Sequence, residues 1–288
     1  MSSTAISTKD ISELRTRTGA GIGDCKNALQ EASGDMEKAA EILRKKGIAK
    51  AEKRAGRVAA QGVVAIDIAA DGKAGAMIEL NCETDFVART EGFQALAQDV
   101  LKHVAAHAPE GAGTGADLEG QPFQGQGGRT LGEVVKEISG KTGEAVTLSR
   151  WARFATGNGV VASYRHHNGM VGVLVEVDGA TGEAATTLAK DVALHVASAD
   201  PLAVRAEDIP SDMVERERRI AEEQVAQEGK PENIRGKIVE GKVKKFLAER
   251  SLLEQPFVRE ESKTVGQLVK EVPGASVRRF ARFKVGEA

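Results

Sequence analysis

Asp85 beside Phe86, the adjacent pair His166-His167, and the cysteines Cys25 and Cys82 are the side chains here whose types and neighbours invite a chemical reading. A histidine pair can bind a metal or move a proton, but no carboxylate lies at ligand spacing from His166 or His167, and His103 and His195 fall in helical stretches. A loop pair, still open to a partner contact, is the better reading. Cys25 and Cys82 sit in unrelated contexts, with no CxxC spacing and too few thiols for a disulfide framework. No Ser/His/Asp or Cys/His set occupies a turn or motif that would recommend a nucleophile. Two glycine-rich stretches fail as phosphate loops. Gly19-Ala20-Gly21-Ile22-Gly23 lacks a preceding strand and a Gly-Lys-Ser/Thr ending, and Gly111-Ala112-Gly113-Thr114-Gly115 follows a helix. With seven glycines from Gly111 to Gly128, the second stretch reads as a linker. No metal, no cofactor and no catalytic residue is expected.

What Asp85-Phe86 can do depends on the elements that carry it. From residue 62 the chain repeats itself. Gly62-Val63-Val64-Ala65 returns as Gly159-Val160-Val161-Ala162, 97 positions on, and at that offset Gly72 meets Gly169, Gly75 meets Gly172 and Glu79 meets Glu176. Each copy reads as two apolar runs about a glycine turn, a β-hairpin signature. A helix follows, 96–105 matching 188–197 at offset 92, with Pro109 and Pro201 closing both. Gln121-Pro122-Phe123 returns as Gln255-Pro256-Phe257 and Thr130-Leu131-Gly132 as Thr264-Val265-Gly266, both at offset 134. Arg150-Trp151-Ala152-Arg153-Phe154 returns as Arg279-Phe280-Ala281-Arg282-Phe283 at offset 129. Four blocks in the same order predict two copies, 62–156 and 159–285, of one hairpin–helix–helix–strand unit. The domains drawn from this are 57–157 for the first repeat and 158–202 with 251–288 for the second.

The changes in offset locate two additions. Between hairpin and helix the first copy carries five extra residues, in the segment Glu83-Thr84-Asp85-Phe86-Val87-Ala88-Arg89. Between Pro201 and Gln255 the second copy carries 42 extra residues. Duplicated units differ where additions are tolerated, and such places often carry function. The longer addition, 203–250, has helical stretches over 214–228 and 234–248 about Gly229-Lys230-Pro231, which predicts an antiparallel helical pair. Its mixed charge suits either a solvated outer hairpin or a protein-contact arm. Phe86 likewise has two readings. Phe is usually buried, and a core ring would need no further account. The second copy, however, builds the same unit without this segment, which weighs against that reading. An exposed ring beside a carboxylate suits insertion into a partner, the ring in an apolar pocket and Asp85 against a nearby cation.

Upstream, residues 5–47 predict three short helices. Thr18-Gly19-Ala20-Gly21 ends the first, while Ile22, Cys25, Ala28 and Leu29 keep a 3.6-residue period in the second. Asp35 caps a third helix over 36–46 that buries Met36, Ala39, Ala40, Ile42 and Leu43, and 47–57 is a basic connector bearing Lys50, Lys53, Arg54 and Arg57. A length of 288 residues suits two or three modules, 41% hydrophobic content supplies real cores, and 40 Lys+Arg against 42 Asp+Glu leaves a net charge of −2. That balance argues against electrostatic capture of nucleic acid, and eight Phe, one Trp and one Tyr are too few for a stacking platform. The opening residues show no basic stretch followed by an apolar core, and no apolar run approaches the ~20 residues that span a bilayer. A cytoplasmic location and no membrane partner are expected.

Two long gap-free motifs carry a resemblance. Leu14-Arg15-Thr16-Arg17-Thr18-Gly19-Ala20-Gly21-Ile22-Gly23-Asp24-Cys25-Lys26-Asn27-Ala28-Leu29 and Glu79-Leu80-Asn81-Cys82-Glu83-Thr84-Asp85-Phe86-Val87-Ala88-Arg89 resemble the two signatures of bacterial translation elongation factor Ts. The likeness runs on through Gln255-Pro256-Phe257-Val258 and Lys263-Thr264-Val265-Gly266-Gln267-Leu268. It implies an α+β fold: a ubiquitin-associated-like three-helix module over 1–56, the two repeats with small antiparallel sheets, and a helical coiled-coil or dimerisation insertion over 203–250. It implies no enzyme but a guanine-nucleotide exchange factor for elongation factor Tu. The factor binds the GDP-bound and nucleotide-free partner and displaces the partner's Mg²⁺ through Thr84, Asp85, Phe86 and Val87. Ile22, Gly23, His166 and His167 are secondary candidates for partner contact. For the insertion, a homodimer and a direct contact with the partner are the two alternatives. Some members carry a further C-terminal helix; this sequence stops at Ala288, so contacts made by that helix are not expected.

Overall fold

Ser7 begins the first helix, α1 (Thr8–Thr18), by accepting the Asp10 N–H while the Asp10 carboxylate takes the Ser7 N–H, a reciprocal cap. Gly19 ends it in the left-handed region at φ 70°, the turn the glycines predict. The computed structural model that shows this describes residues 6–54, 56–125, 127–229 and 231–287. Residues 1–5, Ala55 of the connector, Gln126, Lys230 of the expected turn and Ala288 lie outside the described residues. α2 (Ile22–Glu31) and α3 (Met36–Glu52) follow, Asp35 accepting from the Lys38 N–H at 3.0 Å, and Leu14, Cys25, Ala28, Leu29, Ala39 and Leu43 close a small core.

Two features of this unit differ from the expectation. Ile22, placed on the apolar period, is 58% exposed: it is the first residue of α2, and helical side chains lean toward the helix N-terminus. The third helix does not stop at Lys46 but runs through Gly47 to Glu52. Gly47 is a crossing point rather than a terminator: a Cβ on Gly140, in a later helix, would meet the Gly47 backbone at 2.9 Å. The connector is correspondingly short, and several of its cations are engaged. Lys50 pairs with Asp24 at 3.0 Å, Arg54 donates to the Ser139 carbonyl and Arg57 pairs with Glu83, each at 3.3 Å.

Beyond it lie β1 (Gln61–Ile68), β2 (Ala74–Cys82), α4 (Asp85–Ala88), α5 (Glu91–His107), β3 (Gly111–Thr114), α6 (Leu131–Thr142) and β4 (Val146–Ala155). The order then recurs as β5 (Gly159–Arg165), β6 (Val171–Asp178), α7 (Glu183–Ala199), the added pair α8 (Ser211–Gln227) and α9 (Glu232–Arg250), β7 (Pro256–Phe257), β8 (Glu260–Thr264), α10 (Val265–Lys270) and β9 (Ser276–Lys284). The fold is α+β, with small antiparallel sheets ordered β1-β2-β4-β3, β5-β6-β9 and β7-β8. Residues matched in sequence hold equal register. Gly62 faces Asn81 as Gly159 faces Asp178, and a bulge follows Glu79 against β4 as another follows Glu176 against β9. The linker expected at 111–115 is instead the edge strand β3. Gly113 is explained by Trp151, which faces it: a Cβ there would stand 3.0 Å from the indole, whose Nε1 donates to the Thr114 carbonyl at 2.9 Å. The 42-residue addition is the expected antiparallel pair, closed by Ala221, Val225, Val239 and Val243.

Each large sheet is covered on both faces. One face of each packs on its own helices, around Ile78, Phe93, Val100 and Trp151 in the first and Val175, Leu188, Val192 and Val265 in the second. The other two faces meet, Val64, Met77, Ala152 and Phe154 against their sequence counterparts Val161, Leu174, Ala281 and Phe283. At that seam the Glu79 carboxylate accepts from Arg150 Nε at 2.8 Å and the Glu176 carboxylate from Arg279 Nε at 2.6 Å. Each guanidinium then lies over a ring of the opposite repeat, Arg150 at 4.8 Å from the Phe283 centroid and Arg279 at 4.4 Å from that of Phe154. Burial pushes the Glu176 carboxyl above its ordinary range in spite of Arg279. Removing one partner of a buried pair strands the other charge. Arg279→Ala, which takes from buried Glu176 its 2.6 Å partner and leaves Arg278 at 3.4 Å, is expected to lower unfolding free energy by about 3 kcal/mol in urea titration. Lys45→Ala, at an exposed pair with Glu41, should leave the urea transition essentially where it is.

A second duplicated contact predicts a pH dependence. Gln255 Oε1 can only accept, so the His195 Nε2 at 2.8 Å carries the proton, and Nδ1 accepts from the Val258 N–H at 3.3 Å. His103 Nε2 meets Gln121 Oε1 likewise at 3.0 Å. Burial pushes both imidazoles below their ordinary 6.5. The unfolded chain therefore binds these protons first, and stability falls as pH drops below about 6.5. In melting experiments from pH 7.5 to 5.5, His195→Gln, whose amide still donates to Gln255, should lose less stability than the parent over that interval.

Candidate functional site

The five-residue addition of the first repeat folds as a single helical turn between β2 and α5. Thr84 caps it, its Oγ1 accepting from the Val87 N–H at 3.3 Å, and Thr90 caps the next helix while its own hydroxyl donates to the Val87 carbonyl at 2.8 Å. Two helix starts only six residues apart leave room for just Asp85–Ala88 between them. Val87 and Ala88 turn inward onto the first core, and Gln94 donates to the Ala88 carbonyl at 2.6 Å. Phe86, on the opposite side of the turn, is 81% exposed. Burial of such a ring is worth about 1.5–3 kcal/mol, so its position in water is a cost that packing within the chain does not relieve.

The turn is anchored from below by crossed carboxylates. Glu144, just past the left-handed Gly143 that ends α6, accepts the Thr84 N–H at 3.0 Å and the Thr84 hydroxyl at 2.6 Å. Glu83 reaches the other way, accepting the Ala145 N–H at 2.7 Å and pairing with Arg57. The Ala145 N–H, more than Arg57, holds the Glu83 carboxyl below its ordinary range. Beneath them Cys82 donates its thiol to the Thr84 carbonyl at 3.1 Å, and burial, with Glu144 nearby, pushes that thiol up to about 11. Cys82 is thus a protonated structural donor, and Cys25 is buried in the three-helix core.

Asp85 is engaged within the chain, paired with Arg89 at 2.9 Å one helical turn on. Ile22 and Gly23 stand on the exposed start of α2, and a Cβ at Gly23 would touch nothing within 4 Å. His166 and His167 lie at the β5–β6 turn with ring centroids 4.2 Å apart, the Tyr164 hydroxyl bonding His166 Nδ1 at 3.1 Å. Thr84, Asp85, Phe86 and Val87 are one continuous turn, whereas Ile22-Gly23 and His166-His167 occupy separate elements. Among the described residues no group of His, Cys, Asp or Glu is arranged to hold a metal ion, and no helix is long and apolar enough to cross a membrane. What the site can do is present one ring and one carboxylate to a surface. Sequence reasoning missed Glu144 and its exchange with Glu83. Thr84 and Glu144 are 60 residues apart, and no spacing rule links a carboxylate after one helix to a cap on another.

The sequence profile described as Elongation factor TS matches residues 83–287, which include the turn and both sheets' closing strands. The chain is 47% identical over 286 residues to Elongation factor Ts of Aquifex aeolicus (strain VF5), covering 98% of each chain. It is 42% identical over 283 residues to that of Alkalilimnicola ehrlichii (strain ATCC BAA-1101 / DSM 17681 / MLHE-1), over 98% of this chain and 93% of the relative. To that of Burkholderia multivorans (strain ATCC 17616 / 249) it is 45% identical over 283 residues, 98% of this chain and 92% of the other.

The exposure of Phe86 makes a prediction about stability. Phe86→Ala should leave the unfolding free energy in urea within about 0.5 kcal/mol of the parent, whereas Phe93→Ala, at a fully buried ring on α5, should cost about 3–5 kcal/mol.

Proposed function

The chain belongs to the elongation factor Ts family, and on that premise we propose that it is the guanine-nucleotide exchange factor of elongation factor Tu in the cytoplasm. It makes and breaks no covalent bond, and acts by binding the partner more tightly without nucleotide than with GDP. By linkage, GDP and factor then weaken one another equally, and a roughly 1000-fold weakening requires about 4 kcal/mol of coupling. The observation that carries the reading is Phe86, an 81% exposed ring on a turn held on either side of it by hydrogen bonds at Thr84 and Val87.

The ring enters an apolar pocket of the partner, and Asp85 approaches the ligands of its Mg²⁺. That ion demands near-ideal octahedral geometry, so small displacements of its ligands loosen it and the phosphates it bridges. Asp85 must first give up Arg89, but an exposed pair holds by less than about 1 kcal/mol, which makes the switch inexpensive.

The three-helix unit, here read as ubiquitin-associated-like over 1–56, makes a second contact with the GTPase through Ile22 and Gly23. Exposed Ile22 supports this, as does the open space around Gly21 and Gly23, glycines that packing within the chain does not require. His166-His167 is a further contact at the hairpin tip. The helical pair within 203–250 serves as a protein-contact arm, toward the partner or a second copy, with Ile220 and Ile234 exposed on it. The duplicated repeats, 57–157 and 158–202 with 251–288, are the frame that carries all three.

The test is release of fluorescent GDP from elongation factor Tu. The wild-type chain should accelerate release, and Phe86→Ala should lose at least about tenfold of that acceleration, in line with removal of a buried aromatic anchor. A wild-type chain without effect refutes the exchange reading. A fully active Phe86→Ala refutes the insertion of the ring alone.

A further inference from the structure

The geometry points to Glu144, with Glu83, as the positioning residues that aim the Phe86 turn, a role resting on the exchange reading above. An exposed ring on a four-residue turn has no packing of its own to fix its direction, so the backbone beneath must do so. Glu144 takes both hydrogen-bond donors of Thr84, N–H and hydroxyl, while that same hydroxyl oxygen accepts from the Val87 N–H on the far side of Phe86. Glu83 returns the bond to the Ala145 N–H. The strand end before the turn and the strand start after α6 are therefore locked by three bonds to carboxylates, each stronger than a neutral bond.

The second repeat shows that the hairpin–strand unit does not need this lock. Register places Leu80 opposite Leu148 and Val177 opposite Val277, so Pro273 and Gly274 stand where the first repeat has Glu144 and Ala145, and Gly179 where it has Cys82. There the two turns meet by backbone alone: a Cβ on Gly179 would strike the Gly274 carbonyl at 2.1 Å, and one on Gly274 would meet that of Gly179 at 2.8 Å. The carboxylate clamp occurs in the copy that carries Phe86, and the copy without the turn closes the same junction with two glycines. The clamp also reaches the three-helix unit. Ser139 Oγ donates to the Glu144 carbonyl at 2.5 Å, Arg54 donates to the Ser139 carbonyl, and Gly140 packs on Gly47 of α3. Both ends of the proposed contact surface thus lean on the C-terminal end of α6.

In single-turnover release of fluorescent GDP from elongation factor Tu, Glu144→Ala should lower the maximal rate at saturating factor roughly tenfold, the size expected from lost bonds to a charged group. The factor concentration giving half that rate should change little, since Phe86 remains present but is less well aimed. Glu144→Gln, which still meets both Thr84 positions, should restore most of the rate. In a Phe86→Ala background Glu144→Ala should bring no further loss, because it acts through the ring. Losses that add across the two backgrounds, or that fall on half-saturation alone, overturn the proposal. If the wild-type chain releases no GDP, the exchange reading fails by itself, and amide hydrogen exchange then reads the clamp directly. Thr84 and Val87 amides should be protected in the parent and lose protection in Glu144→Ala; unchanged protection overturns it.

Discussion

Two buried carboxylates, Glu79 and Glu176, each hold an arginine of the neighbouring strand so that its guanidinium lies on a phenylalanine of the opposite repeat. The seam between the two large sheets is arranged about these contacts. A buried ion pair gains little net stability, because desolvation consumes most of its Coulomb energy; its value lies in registry. Glu79 sits at the bulge where β2 meets β4, and Glu176 at the equal bulge where β6 meets β9. A slip of one residue in either ladder would bury a lone charge and turn its arginine from the ring. The apolar seam between the sheets supplies attraction without direction, and the paired arginines supply the direction.

That fixed seam lets a small unit carry an exposed ring. β2 leaves the seam at Cys82 and within two residues enters the Phe86 turn, while β4 enters the sheet two residues after Glu144. The turn is therefore held by elements whose register is already set. Function in this reading comes from what the first copy adds to a shared frame, and the second copy, which spends its addition on α8 and α9 instead, serves as the internal comparison. The proposed coupling between factor and nucleotide rests on a difference in affinity for the partner's two states, since a contact made equally in both would shift neither.

Much of this was legible in the sequence, for identifiable reasons. Caps and turns are local, so Asp35, Gly19 and both hairpins appear where their residue types place them. The shift in repeat offset singled out Phe86 because a duplication carries its own control. What failed depended on partners distant in the chain. Gly47 looked like a helix end until Gly140 supplied the reason for a glycine inside α3, and Gly111–Thr114 looked like a linker until Trp151 supplied a strand to pair with and a ring to pass. Ile22 kept the apolar period yet lies in water at the first position of α2, since periodicity gives a direction around the helix and not how far along it the packing reaches. Glu144 left no local trace, because the feature it satisfies is a backbone N–H and hydroxyl on another turn.

The central claim is that this rigidly presented ring distinguishes two states of the partner, and calorimetric titration of the chain against elongation factor Tu with and without GDP tests it most directly. Much tighter binding to the nucleotide-free partner is expected, by the same factor by which the chain weakens GDP when the titration is run the other way. Equal affinity for the two forms would contradict it.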